Sequence, residues 1–112
     1  MNKSSLASLA QEHLQIARVA SSGRSAHTIV GGRDHVLRQT LIALASGHNL
    51  ADHDSAGEAT LQVVIGHVRL VEGSELQEGV AGDVLEVPAA RHRLEALDDS
   101  VVLLTVAQSL VN

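Results

Sequence analysis

Leu6, Leu9, Ala10, Leu14, Ala17 and Ala20 recur at spacings of three and four through Ser4–Ala20, which predicts one amphipathic helix whose leading serines can cap the first turn. From Ser21 the pattern changes. A loop composition, Ser-Ser-Gly-Arg-Ser, gives way to short apolar runs between glycine-bearing turns, and such runs predict strands. The strands expected are Ala26–Val30, His35–Ala45, Leu50–His53, Thr60–Ile65, Val68–Val71, Glu75–Gln77, Val84–Val87, His92–Leu97 and Val101–Val106. Turns fall at Gly31-Gly32, Ser46-Gly47, Gly66-His67 and Gly79–Gly82, among others. Short strands at this spacing build a sandwich or barrel, and Gly66-His67 gives a two-residue hairpin signal joining Leu61–Ile65 to Val68–Val71. Val101–Val106 is apolar at nearly every position, which implies burial on both faces, inside a barrel and against a helix or a second subunit. A homodimer is the simplest cover for that outer face. The helix, with small residues among its apolar positions, is expected to pack across the barrel or onto a partner.

The chain has 112 residues, enough for one domain, with residues 1–24 expected to form the helix and connecting loop and 25–112 the barrel. Its apolar fraction of 45% contains no Phe, Tyr, Trp or Cys, so the core is aliphatic. Without aromatic faces, stacking on single-stranded nucleic acid or sugars is closed to it. A net charge of −5 with dispersed basic residues leaves no electrostatic footprint for nucleic acid or an anionic membrane. The apolar runs are too short to span a bilayer and the start of the chain is unlike a leader, so the expected location is the cytoplasm. Any metal must be held by His, carboxylate or amide oxygen, because thiolate ligands are missing.

Two spaced strings carry candidate chemistry. Gly47, His53, Ser55, Ala59 and Gly66 follow one another with five, one, three and six residues between them, and Gly82, Pro88 and His92 form the second string. Together they resemble the two sequence motifs of the cupin family, small RmlC-like jelly-roll β-barrels, and the resemblance covers Arg38–Ala107. The family's first motif reads Gly, five residues, His-x-His, three or four residues, Glu, six residues, Gly; here Gly47, His53 and Gly66 match, while Ser55 and Ala59 replace the second His and the Glu. The second motif reads Gly, five residues, Pro-x-Gly, two residues, His, three residues, Asn. Gly82 and Pro88 match it, Ala90 replaces the middle Gly, His92 comes one residue early, and the final Asn is absent.

The resemblance implies an all-β, cupin-like jelly-roll barrel behind the N-terminal amphipathic helix, with His53, Ser55 and His92 facing its interior. Gln39 is expected to join them, because turning Arg38 inward without a partner costs more than turning an amide inward. Two imidazoles and a hydroxyl fall one short of the protein ligands of catalytic zinc or the two-His-one-carboxylate set of non-haem iron. Glu58 completes the set if a β-bulge at Gly57 turns its carboxylate inward.

Two functions follow. In one, the barrel binds a small molecule through Gln39, His53, Ser55 and His92, with metal absent or weakly held. In the other, a metal-dependent cupin enzyme, oxygenase, isomerase or decarboxylase-like, uses His53 and His92 to hold Fe, Mn, Ni or Zn as a Lewis acid. A third reading, a dimeric scaffold contacting another protein, requires an interior filled by Leu and Val. Arg91 and Arg93 flank His92 and offer either an anion site at the barrel mouth or a soluble rim. Ser55, His92 and Asp54 are the residue types of a hydrolytic triad without a nucleophile elbow. His13, His27, His35, His48 and His67 read as solvated surface histidines.

Overall fold

The computed structural model describes residues 1–53 and 57–108, the side chains of Asp52 and His53 excepted. One helix, α1 (Leu6–Val19), precedes nine strands: β1 (Arg24–Val30), β2 (Leu37–Leu44), β3 (Asn49–His53), β4 (Glu58–Ile65), β5 (His67–Glu72), β6 (Glu75–Val80), β7 (Val84–Glu86), β8 (His92–Ala96) and β9 (Ser100–Ala107). They form two antiparallel sheets, ordered β1-β2-β9-β4-β7 and β3-β8-β5-β6. Each predicted strand has a counterpart. The largest shift is in β6, which runs on through Gly79 where a turn is expected. Gly79 lies opposite Val68, and a Cβ there would sit 3.2 Å from Val63 and 3.3 Å from Leu85. Its smallness lets β6 lie close to the facing sheet.

The Gly66-His67 signal does not make a hairpin. β4 pairs with β7 and β9, whereas β5 pairs with β6 and β8, so the chain passes from one sheet to the other at Gly66. That glycine has φ +92°, and a Cβ on it would sit 2.3 Å from the Asp99 carbonyl oxygen and 2.4 Å from Ser100 Oγ. Ser100, 1% exposed, closes the corner by accepting from the His67 N–H at 3.1 Å and donating to the Asp98 carbonyl at 2.7 Å.

Strand alternation sorts the apolar side chains into two cores. Ile42 and Leu44 of β2, Leu61 and Val63 of β4 and Val102 of β9 meet Val68, Leu70 and Leu94 of the other sheet inside the barrel. Leu41 and Ala43 of β2 and Val101 of β9 point the other way, onto Ala10, Leu14 and Ala17 of α1. The doubly apolar reading of β9 therefore holds, and the chain's own helix covers Val101. Ala10 and Ala17 are wholly buried, so their small side chains let α1 lie close to the sheet, and burying Leu14 between them contributes about 2 kcal/mol. Ser5 caps the helix by accepting from the Ser8 N–H at 3.2 Å. At the far end Arg18 reaches Asp99 at 2.7 Å, tying the helix to the loop before β9. Among the described residues no helix is long and apolar enough to cross a membrane.

Candidate functional site

β8 begins at His92, after the turn that Pro88 opens. His92 is 5% exposed. Its Nδ1 lies 2.9 Å from the Ala90 carbonyl oxygen; a carbonyl only accepts, so Nδ1 carries the proton and Nε2 the lone pair. Across the ladder His53 is the register partner of His92, beyond an irregularity that follows Leu50. The two positions predicted to converge thus face each other on adjacent strands. Ser55 and Asp54 lie outside the described residues.

Between the sheets is a cavity of about 30 Å³ lined by His92 and seven aliphatic side chains, among them Ile42, Leu61, Leu94 and Leu104. A water needs on the order of 10–15 Å³ in this measure, so the space suits a water or a methyl-sized group. At the end of the barrel where β8 starts, a wider depression of about 390 Å³ lies against Leu70, Glu72, Glu75, Leu76, Gln77, Glu86 and Pro88. Leu70 lines both spaces. The acidic lining was open to sequence reasoning and missed by it: Val68 and Leu70 point inward, so alternation carries Glu72 inward and, through the β5–β6 register, Glu75 with it.

Other expected members of the site lie elsewhere. Gln39 shares the outward face of Leu41 and Ala43 and donates to Thr105 Oγ1 at 3.1 Å. Arg38 has the inward parity instead, but at the exposed start of β2 its charge stays in water, so the desolvation cost that favoured Gln39 never arises. Glu58 is exposed, pairs with Ala107 and lines a surface groove with Thr60 and Thr105; it does not turn inward. Ala59 has the inward parity beside it, opposite Val106. Arg93 lies on the outer face of its sheet rather than at the mouth, where Glu95 takes Arg69 Nε at 2.8 Å and Arg93 Nε at 2.9 Å. The Arg69 bond foremost, then that of Arg93, holds the Glu95 carboxyl below the usual carboxylate range. His67 Nε2 is hydrogen-bonded to Glu78 Oε1 at 2.6 Å.

Among the described residues no three His, Cys, Asp or Glu side chains come together as a metal group, and a methyl, that of Ala59, stands where a carboxylate is needed for non-haem iron. An aliphatic cavity with one oriented imidazole is suited to hydrogen bonding.

No family model and no curated protein matches the chain. Solved structures do. A cupin superfamily protein from Desulfitobacterium hafniense is 16% identical, with a TM-score of 0.70 over 77% of this chain and 78% of that one. An RmlC-like cupin from Desulfovibrio desulfuricans is 23% identical, with a TM-score of 0.65 over 75% and 81%. A salicylate 1,2-dioxygenase from Pseudaminobacter salicylatoxidans is 21% identical, with a TM-score of 0.74 over 89% of this chain and 33% of its own. With two antiparallel sheets, the chain order of their strands and these neighbours in agreement, the protein has the RmlC-like cupin fold.

Proposed function

We propose that this cupin binds a small, largely aliphatic molecule, with its apolar end among the aliphatic side chains of the cavity and its polar end toward the barrel mouth, hydrogen-bonded to His92. The observation that supports the reading is the cavity lining: seven aliphatic side chains and one buried imidazole held in a single tautomer. Glu72, Glu75 and Glu86 around the mouth favour a neutral or cationic head over an anionic one. Such a module senses or sequesters its ligand. The metal-dependent alternative has one observation on its side, the pairing of His53 with His92 across β3 and β8. It would join this chain to the chemistry named for its dioxygenase neighbour.

Ligand-observed NMR with butylamine, butanol and butyrate, together with metal analysis of tag-free protein, separates the two. The proposal expects butylamine or butanol to bind in preference to butyrate, and binding to be lost in His92→Leu. Stoichiometric Fe, Mn, Ni or Zn that disappears in His92→Ala would overturn it.

A further inference from the structure

Outside the barrel, α1 and β1 bring two histidines and a serine together. Ser25, His27 and Ile29 share the outward face of β1, and Ile29 packs into the helix core. From α1, half-buried His13 reaches down to this face: its Nδ1 lies 2.7 Å from Ser25 Oγ. Its ring centroid is 5.3 Å from that of His27, the planes inclined by 30°. His27 is exposed, so its ring is open to solvent and able to turn.

We propose that His13 and His27 form a surface site for a late first-row divalent ion of the zinc class, bridging the helix to β1. Three features support it. Two imidazoles sharing a tetrahedral ion at a metal–nitrogen distance of ~2.0–2.1 Å hold their centroids about 5 Å apart; the rings are stacked at 5.3 Å, so a turn of the exposed His27 ring brings its edge to the ion without moving the backbone. The Ser25 hydroxyl on Nδ1 of His13 is the kind of outer partner that metal-bound histidines characteristically have; it fixes the ring, and in the tautomer where it accepts from Nδ1 the Nε2 lone pair is presented to the ion. Access needs no opening of the fold, because His27 faces solvent. With two protein ligands, water completes the shell, and neutral nitrogen donors select zinc, nickel and copper over magnesium and calcium. An ion held by both elements also fastens α1 to the barrel, so occupancy adds to stability by mass action. The site is independent of the His92 pocket.

The test is calorimetric titration of the full, tag-free chain with zinc chloride at neutral pH, paired with thermal melts followed by far-ultraviolet circular dichroism. Expected are one equivalent of zinc, a rise in the melting midpoint, no response to magnesium, and weakening at pH 5.5 as protons compete for the imidazoles. Affinity should fall by about tenfold or more in His27→Ala and about tenfold in Ser25→Ala, while His35→Ala, at an exposed histidine outside both sites, leaves it unchanged. Since His27 is exposed, its variant folds even if a His13→Asn protein does not. Zinc that binds His27→Ala as tightly as the parent chain, or no binding up to millimolar zinc, overturns the proposal.

Discussion

At the end of the barrel where β4 gives way to β5, Ser100, His67 and Asp98 bond one another, and Asp99 takes the Ser46 N–H at 2.8 Å and Arg18 at 2.7 Å. At the opposite end Glu72, Glu75 and Glu86 surround an open depression, with the buried imidazole of His92 beneath. Both ends join the same two sheets, yet one is fastened by close backbone packing and a cluster of hydrogen bonds while the other is left accessible. The difference assigns stability to the closed end and, on the proposed function, recognition to the open one. Changes at the closed end should act on folding, and changes at the mouth should act on binding.

The strongest way to break that contrast is at Gly66. Gly66→Ala should cost about 3 kcal/mol or more, because a strained φ and a backbone clash act together. Gly82 has a similar φ of +99° with nothing within 4 Å of a Cβ, so Gly82→Ala should lose only the conformational part, roughly 1–2 kcal/mol. Urea unfolding of the two proteins decides it, and equal losses would remove the corner from the account. A smaller effect is expected from acid. The Ser46 N–H first and the Arg18 guanidinium second hold the Asp99 carboxyl below the usual aspartate range. Its contribution is therefore complete above the unfolded value of about 3.9 and is lost as the pH falls through the lower native one. In Asp99→Asn that part of the acid dependence should vanish from melts taken across pH 2 to 6. The smallest change in stability belongs to the mouth end. His92→Leu roughly conserves volume and should stay within about 1.5 kcal/mol of the parent, while small-molecule binding is lost. A large destabilisation there would make His92 a structural residue and erase the distinction.

Much of this architecture is legible in the sequence, and the misreadings have identifiable causes. α1 is visible because Ala10, Leu14 and Ala17 repeat at helical spacing and are the residues buried. The nine strands are visible because their aliphatic runs are punctuated by glycine. The hairpin expected at Gly66-His67 fails because two residues describe only a local turn, whereas the crossing is fixed by Asp99 and Ser100 more than thirty residues away. Gln39 fails as an inward residue because the inward position of Arg38 is wet, so no charge has to be buried there. Of the candidate site, His92 and its partnership with His53 follow from motif spacing. Two of the mouth carboxylates, Glu72 and Glu75, come from β5 and β6, outside both motif strings, and only the register of that pair brings them there, whereas Glu86 of β7 lies inside the second string. His13 and His27 each look like a lone surface histidine until helix and strand are docked.

β9 lies between β2 and β4 although it is the last strand in chain order. During synthesis, β2 and β4 therefore leave the ribosome with open ladder edges and exposed Leu and Val faces, and nothing earlier in the chain can fill the gap between them. The five-stranded sheet is completed only when β9 emerges, so until then the nascent barrel stays open, with its sticky edges in need of shielding.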